Sequence, residues 1–311
     1  MNQVAFLFPG QGSQSVGMLE QLSQQSSLVQ LTFEEASQQA GTDLWQLAQQ
    51  GPKERLDQTE ITQPAMLAAN IACWRVWKEQ GGFDPQFMAG HSLGEYAALV
   101  AAGTLDFADA VRVVVQRARL MQQATPAGVG AMAAILGMED AALQGVCAAA
   151  AQGQIVSCAN YNSPGQTVIA GHREAVERAC EAAKAAGAKR AVPLPVSVPS
   201  HCELMRGAAE QLQQTLLEIP LAANEMCVLH NADVQSHTDA TTVRQALFEQ
   251  LWKPVRWSET IAELSSRNVT HFAECGPGSV LTGLNRRNAR AAETVSLTDL
   301  NSMHKIIREW N

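Results

Sequence analysis

The sequence predicts a mixed α/β fold, in which a mainly parallel sheet lies between helices and a smaller unit is inserted into it. In the first third of the chain, apolar strand patterns at 3–8 and 87–89 alternate with helical patterns, which is typical of a parallel sheet. The last third returns to the same alternation, with strands predicted at 227–230 and 270–275. The helices of these two parts are predicted over 27–40, 64–80, 95–102, 107–124, 203–218, 241–252 and 258–267.

The middle of the chain has a different order of elements, which predicts the inserted unit. Its strands and helices follow the order βαββαβ, as in a ferredoxin-like unit. They are predicted at 131–137, 139–151, 154–160, 167–171, 174–186 and 189–196. Segments rich in Gly and Pro lie at both ends of this region. We therefore predict a ferredoxin-like subdomain over 128–196, inserted into a large domain made of 1–127 and 197–311.

Composition and charge exclude several classes of protein. Because the formal net charge is −8 and phosphate binding needs a clustered basic surface, we expect no nucleic-acid partner. No apolar run approaches the roughly 18 residues of a membrane span, and the first residues enter a strand without a basic and apolar leader. The 7 cysteines form no CxxC pair and lack metal-ligand spacing to a histidine. We expect a cytoplasmic protein with free thiols, no metal and no membrane partner.

The segment 90–94 matches the pattern GxSxG between a predicted strand and a predicted helix. This arrangement places Ser92 on a sharp turn with its hydroxyl exposed, as in α/β-hydrolase-like folds. It also aims the backbone N–H of Leu93 at the oxyanion that develops when a nucleophile attacks a carbonyl. Ser92 is therefore the candidate nucleophile of an enzyme that transfers acyl groups.

A serine hydroxyl needs a base at neutral pH, and the chain offers 7 histidines. His91 is adjacent to Ser92, and because neighbouring side chains on such a turn diverge, we expect it to pack against the turn. His201 follows a predicted strand and lies C-terminal to the serine, as this kind of fold requires. Spacing alone favours His201 only modestly, and no nearby Asp or Glu is indicated as its partner.

Several short segments, taken together, resemble the malonyl-CoA:acyl carrier protein transacylases of bacterial type II fatty acid synthesis. The resemblance covers nearly the whole chain in order. The segments are 8–14, 62–65, 90–96, 162–166, 195–201 and 276–278.

The resemblance implies that Ser92 attacks the thioester of malonyl-CoA and that His201 takes its proton. It also implies that a backbone carbonyl, at the position of Gln250, orients this histidine in place of a carboxylate. The acyl group then passes to the phosphopantetheine thiol of an acyl carrier protein. No cofactor is implied, because coenzyme A arrives with the substrate.

Further positions take their roles from the same resemblance. The backbone N–H groups of Gln11 and Leu93 would form the oxyanion hole. Arg117 would bind the malonyl carboxylate, since a guanidinium holds a carboxylate through two parallel hydrogen bonds. Gln63 and Asn162 are predicted to contact the substrate.

An acidic carrier protein would need a basic docking face on this chain. The candidate pairs are Lys189-Arg190 and Arg286-Arg287. The family commonly has Lys after Gly-Pro-Gly, whereas Ser279 stands here, which weakens the prediction of docking near that loop.

Three rival interpretations remain open at this point. A serine thioesterase or hydrolase would use the same nucleophile but would resolve the acyl-enzyme with water. A free-standing acyltransferase of polyketide synthesis would have the same chemistry with another carrier. A docking module without activity is disfavoured, because Ser92, His201 and Arg117 are all present.

Overall fold

The structure is a computed structural model that describes residues 3–126, 128–196, 198–223 and 225–310. The predicted domain boundaries at 127 and 197 lie outside the described residues. Within the described ranges, the chain forms a five-stranded parallel sheet and a separate four-stranded antiparallel sheet. The predicted mixed α/β fold with a parallel sheet is confirmed at this level.

The elements alternate along the chain as follows. The strands are β1 (Gln3–Phe8), β2 (Phe87–Gly90), β3 (Gly130–Leu136), β4 (Val156–Ser163), β5 (Gln166–His172), β6 (Arg190–Pro193), β7 (Cys227–Leu229), β8 (Val269–Glu274) and β9 (Glu293–Ser296). The helices are α1 (Glu20–Ser23), α2 (Leu28–Ala40), α3 (Leu44–Gln50), α4 (Lys53–Leu56), α5 (Thr59–Glu79), α6 (Gly94–Ala101), α7 (Phe107–Ala124), α8 (Asp140–Ala151), α9 (Arg173–Ala185), α10 (Arg206–Glu218), α11 (Ala240–Gln250), α12 (Trp257–Ser266), α13 (Val280–Asn288) and α14 (Leu300–Glu309). A 3₁₀ helix at Glu203–Met205 precedes α10.

The large sheet has the order β7-β2-β1-β8-β9, with β1 at its centre. Successive side chains of a strand point to opposite faces. Phe6 and Phe8 of β1 therefore pack in one core with α2, α5 and α7, whereas Ala5 and Leu7 pack in a second core with α12 and α13. Because helices cover both faces, β1 reads as an unbroken apolar run in the sequence.

The antiparallel sheet has the order β4-β5-β3-β6, and its helices α8 and α9 pack against one face. Its main core comes entirely from residues between 131 and 191, among them Ile135, Leu143 and Val176. The edge strand β4 is tied to the rest of the molecule at Val255. The N–H of Val255 donates to the carbonyl of Ala159 (2.8 Å), and the carbonyl of Val255 accepts from Tyr161 (2.9 Å).

Two predicted boundaries are wrong for identifiable reasons. Helix α5 begins at Thr59 rather than at the predicted 64, and the start is missed because its first turn has no apolar run like that of the residues after Pro64, which lies inside the helix. Strand β4 continues through Ser163, so that the hairpin turn is confined to Pro164 and Gly165. Gly165 has a φ of 69°, which glycine adopts without strain.

The carboxyl ends of three neighbouring strands meet at one edge of the large sheet. Strands β7, β2 and β1 are adjacent and parallel. The loops that follow them carry Asn231, Ser92 and Gln11, respectively. In open parallel sheets this edge is where ligands bind, so the topology places these three positions at a single site.

Candidate active site

A cavity of about 260 Å³ lies between this edge of the parallel sheet and the antiparallel sheet. One wall comes from the parallel sheet and its neighbouring helices and loops, and it includes Gln11, Gln63, Ser92, Leu93, Arg117 and His201. The opposite wall comes from the antiparallel sheet and the segment after it, and it includes Met132, Ala134, Asn160, Asn162, Gln166, Val168 and Leu194. Every predicted site residue except Gln250 lines this cavity.

Ser92 sits on a tight turn between β2 and α6. Its φ is 51°, a left-handed conformation that costs a non-glycine residue energy and is found mostly where a site requires it. The turn is closed by glycines on both sides. A Cβ on Gly90 would lie 1.9 Å from the carbonyl carbon of Gly94, and a Cβ on Gly94 would lie 1.9 Å from the carbonyl oxygen of Phe8. Only glycine fits at either position.

The hydroxyl of Ser92 is hydrogen-bonded to His201. The distance from Ser92 Oγ to His201 Nε2 is 2.7 Å, and His201 Nδ1 lies 2.8 Å from the backbone carbonyl of Gln250. A carbonyl oxygen only accepts, so Nδ1 carries the proton and Nε2 is left as the acceptor for the serine hydroxyl. The Gln250 carbonyl thus selects the tautomer in which His201 can act as a base.

The electrostatics of the site keep His201 neutral. Burial and then the nearby Arg117 cation lower the pKa of His201 from 6.5 to about 3, against the opposing effect of the hydrogen bond that His201 donates to the carbonyl of Gln250. At neutral pH the imidazole is therefore unprotonated and able to take a proton.

Two backbone N–H groups beside Ser92 are available to a ligand. Within the described part of the chain, the N–H groups of Leu93 and Gln11 donate to no protein acceptor. Both residues line the cavity. The loops that carry them are neighbours because Phe8 of β1 pairs in register with Gly90 of β2. Two such N–H groups on residues that line one cavity are the kind of donor that an oxyanion hole requires.

Arg117 of α7 is a buried cation, with 1% of its surface exposed. Its Nη1 donates to Gln63 Oε1 (2.6 Å), and its Nη2 donates to Gln250 Oε1 (3.0 Å) and, at 3.4 Å, to Ser92 Oγ. Its guanidinium carbon lies 5.7 Å from the ring centre of Tyr96.

No carboxylate of the described residues forms an ion pair with Arg117, and its Nε has no partner there. Burial lowers the pKa of this arginine, which Tyr96 and Glu95 partly offset. Because two amides, a hydroxyl and an aromatic ring contact this buried cation and no carboxylate of the described residues does, it is matched to an anionic ligand.

His91 and Asn162 join the two walls of the cavity. His91 Nε2 lies 2.8 Å from Asn162 Oδ1, and the carbonyl of Asn162 accepts from Asn288 Nδ2 of α13 (2.8 Å). The His91 ring also packs against Trp257, with 5.4 Å between ring centres. Burial lowers the pKa of His91, so this neutral imidazole connects the nucleophile loop to β4.

Comparison with known proteins identifies the family. The profile of the acyl transferase domain matches residues 5–308. Over 301 residues the chain is 54% identical to the malonyl CoA-acyl carrier protein transacylase of Salmonella typhimurium (strain LT2), covering 97% of this chain and 96% of that protein. The chain belongs to the malonyl CoA-acyl carrier protein transacylase family. The resemblance predicted from short segments is confirmed.

Solved structures of this transacylase family superpose closely on the chain. The enzyme of Coxiella burnetii has a TM-score of 0.97 at 50% identity, covering 99% of this chain and 97% of that one. A malonyl-transacylase solved in complex with a type II PKS acyl-carrier protein has a TM-score of 0.97 at 51% identity, covering 98% of this chain and 99% of that one.

The basic pairs predicted for docking lie apart from the reacting groups. Lys189 and Arg190 are exposed at the start of β6, and Arg286 and Arg287 are exposed in the last turn of α13. Arg287 Nη1 donates to Gln166 Oε1 (2.6 Å), and Gln166 lines the cavity. The α13 pair is therefore next to the antiparallel wall of the cavity.

Sequence reasoning does not find Glu95 and Asn231, which lie beneath Ser92. Asn231 follows the carboxyl end of β7, and its Oδ1 accepts the backbone N–H of Ser92 (2.7 Å). Glu95 is fully buried in the first turn of α6. A charge inside a stretch of small and apolar residues was the available signal for Glu95, and a polar residue directly after a buried strand was the signal for Asn231.

The described ranges lack a membrane-spanning helix, a metal-binding cluster and a disulfide. No helix there combines the length and the hydropathy needed to cross a membrane. No group of three His, Cys, Asp or Glu in those ranges is placed to hold a metal ion. All 7 cysteines are free, and burial raises the pKa of Cys73 and of Cys202 to about 12.

Proposed function

We propose that the chain transfers the malonyl group from malonyl-CoA to the phosphopantetheine thiol of an acyl carrier protein, through a malonyl ester on Ser92, and so supplies fatty acid synthesis. The observation that carries this proposal is the position of Arg117. It is a buried cation that forms no ion pair within the described ranges, and it lies 3.4 Å from the hydroxyl that is hydrogen-bonded to a neutral histidine. This geometry fits an acyl group that ends in a carboxylate.

In the first half of the reaction, His201 Nε2 takes the hydroxyl proton of Ser92 while Oγ bonds to the thioester carbonyl carbon. The carbonyl oxygen becomes an oxyanion, which the N–H groups of Gln11 and Leu93 stabilise. When the tetrahedral intermediate collapses, the C–S bond breaks and His201 returns the proton to the thiolate. Coenzyme A leaves as the free thiol, and malonyl remains as an ester on Ser92.

The second half of the reaction reverses these steps with another thiol. The carrier's phosphopantetheine thiol gives its proton to His201, and its sulfur attacks the ester carbonyl. The C–O bond to Ser92 then breaks, and the serine oxygen takes the proton back. The Nδ1 hydrogen bond to the carbonyl of Gln250, at 2.8 Å, holds the imidazole in one orientation throughout.

Arg117 selects the acyl group in this proposal. Its guanidinium accepts the malonyl carboxylate in a bidentate contact, while Gln63 keeps the side chain in place and Asn162 contacts the bound acyl group from the opposite wall. Pairing with the carboxylate also neutralises the charge that lowers the pKa of His201. The base therefore becomes stronger when malonyl is bound than when acetyl is bound, because acetyl has no carboxylate.

The rival interpretations are disfavoured by the comparisons. Curated relatives in Salmonella typhimurium and Bacillus subtilis, 54% and 46% identical, are both named malonyl CoA-acyl carrier protein transacylase. A thioesterase or hydrolase would gain nothing from a buried cation reserved for a free acid. The polyketide alternative has the same chemistry and differs only in the carrier.

We further propose the domain organisation. The larger unit, 1–127 and 197–311, would be α/β-hydrolase-like, and 128–196 would be a ferredoxin-like subdomain. The element order β3–α8–β4–β5–α9–β6, the antiparallel sheet order and a separate core between 131 and 191 support the second assignment. We propose a cytoplasmic enzyme without a cofactor, because coenzyme A arrives as part of the substrate.

The proposed function is tested by trapping the intermediate. Brief mixing with labelled malonyl-CoA, without carrier protein, is expected to release one equivalent of coenzyme A and to leave a stable mass increment on the peptide that contains Ser92. Added carrier protein should then remove the label. Ser92→Ala is the control and should take up no label. A label on a cysteine peptide, or continued coenzyme A release without carrier, would contradict the proposal.

A further inference from the structure

Glu95 is a buried carboxylate that the proposed reaction does not use. It has no exposed surface and lies on α6, three residues after Ser92. Its Oε2 accepts from the backbone N–H of Asn231 (3.0 Å) and from Gln250 Nε2 (3.3 Å), and its Oε1 lies 2.7 Å from His230 Nδ1. Because the first two groups are donors, the carboxyl acts as an acceptor at the centre of this cluster.

Asn231 and Gln250, which donate to Glu95 through a backbone N–H and a side-chain amide respectively, also hydrogen-bond through their side chains to the peptide groups on either side of Ser92. Asn231 Oδ1 accepts the N–H of Ser92 (2.7 Å), and Gln250 Nε2 donates to the carbonyl of Ser92 (2.7 Å). Asn231 Nδ2 also donates to the carbonyl of Gly90 (2.6 Å). One carboxylate oxygen, Glu95 Oε2, therefore hydrogen-bonds to both Asn231 and Gln250, and the side chains of these two residues hold the left-handed turn at Ser92.

The same cluster reaches the base and the cation through Gln250. Its backbone carbonyl orients His201, and its Oε1 accepts from Arg117 Nη2 (3.0 Å). The orientation of the Gln250 amide is determined, because a flipped amide would place its NH₂ against Arg117 and its oxygen against Glu95. Glu95 therefore acts together with the Ser92 carbonyl and Arg117 to fix the way this amide faces.

We propose that Glu95 is a positioning residue that aligns Ser92, His201 and Arg117 for acyl transfer by fixing Asn231 and Gln250. The inference rests on the proposed function, since it assigns a residue to the same reaction. A purely structural carboxylate would affect only the stability of the fold. A positioning residue affects the rate of the chemical step in molecules that are correctly folded.

The test is the single-turnover rate of Ser92 malonylation in Glu95→Gln, measured by rapid quench and expressed per folded molecule. The amide keeps the shape of the side chain but offers one acceptor oxygen and turns an NH₂ toward a neighbouring donor. We expect the rate at saturating malonyl-CoA to fall about 10- to 100-fold, as small misplacements of reacting groups do. The half-saturating malonyl-CoA concentration should change by less than about threefold.

Glu274→Gln is the matched control. Glu274 is equally buried and accepts two backbone N–H groups, those of Leu281 (3.0 Å) and Thr282 (2.7 Å). No hydrogen bond joins its carboxylate to Ser92, His201 or Arg117 in the described residues. Its variant should lose stability comparably and retain the malonylation rate per folded molecule.

A second variant keeps the inference testable if Glu95→Gln does not fold. Asn231→Ala leaves the carboxylate in place and removes the acceptor of the Ser92 N–H, so it should slow malonylation in the same way. Where Glu95→Gln does fold, the two losses in the double variant should be less than additive, because both act through one network.

The outcomes separate the two proposals. If the wild-type enzyme takes up no malonyl on Ser92, the proposed function is wrong. If the wild type is labelled normally and Glu95→Gln reacts at the wild-type rate per folded molecule, or if Glu274→Gln is slowed equally, the positioning role of Glu95 is wrong while the proposed function stands.

Discussion

The two walls of the cavity differ in what holds them. On the side of the parallel sheet, Ser92, His201 and Arg117 are connected by hydrogen bonds to one another and to buried amides. On the antiparallel side, Met132 and Val168 present apolar surface on strands whose main core lies on their opposite face. The proposed reacting groups therefore lie on the wall that a polar hydrogen-bond network holds, and the other wall contributes apolar surface.

This difference predicts that substitutions on the two walls have different effects on acyl transfer. A change within the polar network leaves buried donors or acceptors without partners, which is costly. A change on the apolar strands removes only packing. We therefore expect large and selective effects from substitutions on the first wall, and small, size-dependent effects from those on the second.

The largest effect is expected for Arg117→Ala. Two charge-assisted hydrogen bonds to a carboxylate contribute roughly 1.5–3 kcal/mol each, so malonyl transfer should fall by about two to four powers of ten. Acetyl transfer should be retained or rise. Parallel assays with malonyl-CoA and acetyl-CoA measure this, and an equal loss on both substrates would remove the carboxylate role.

The second prediction concerns pH and the same cation. Because Arg117 lowers the pKa of His201, removing it should move the acid limb of acetyl transfer upward, toward the ordinary value of 6.5. At pH 4, acetyl transfer by Arg117→Ala should be about two- to tenfold slower than at its own neutral-pH plateau. The wild-type rate at pH 4 should stay close to its plateau.

Short exposures to acid, followed by assay at pH 7, establish that the enzyme has not unfolded. An acid limb at the same pH in both proteins would show that burial alone sets the pKa of His201.

The third prediction compares two basic pairs, one on α13 of the larger unit and one on the antiparallel unit, as docking sites for the carrier protein. Reversing Arg286 and Arg287 together is expected to raise the KM for an acidic carrier protein by about three- to tenfold, because exposed charges act mainly on association. Reversing Lys189 and Arg190 is the matched variant on the antiparallel unit. The KM for malonyl-CoA is the internal control. A carrier KM that changes only in the Lys189-Arg190 variant would place docking on the antiparallel unit instead.

The smallest effect is expected on the apolar wall. Met132→Ala removes packing surface without breaking a hydrogen bond, so malonyl transfer should change by less than about threefold. Transfer of the bulkier methylmalonyl group should improve relative to malonyl. A loss as large as that of Arg117→Ala would show that this wall also positions the reacting groups.

The sequence is informative about the site where one local pattern encodes a local geometry. The GxSxG segment predicts the turn at Ser92 because glycines and a strand–helix junction leave the backbone little choice. The roles of Arg117 and Gln250 come from resemblance, since neither residue type nor spacing distinguishes them from others on their helices. Glu95 and Asn231 are missed because their contacts join α6 to the end of β7, a contact that no local pattern reports.

Prediction of the fold from the sequence is limited in the same way. Helices α2 and α7 and the apolar strand β1 are predicted closely, because their periodicity extends over several turns or residues. The amphipathic helix α14 is missed, and helix α5 is predicted to start too late. The short helices α3 and α4, and the edge strand β9, escape prediction because they are too short to show a period. Their stability comes from packing against α5 and β8, which only the folded chain reveals.

The network around Ser92 also has a consequence for biosynthesis. Ser92 is joined to His201, Asn231 and Gln250, which lie 109, 139 and 158 positions further along the chain. Such non-local contacts form late in folding. With the proposed mechanism, we therefore expect a growing polypeptide to carry a serine of ordinary reactivity at position 92 until Gln250 has been translated and the network has folded.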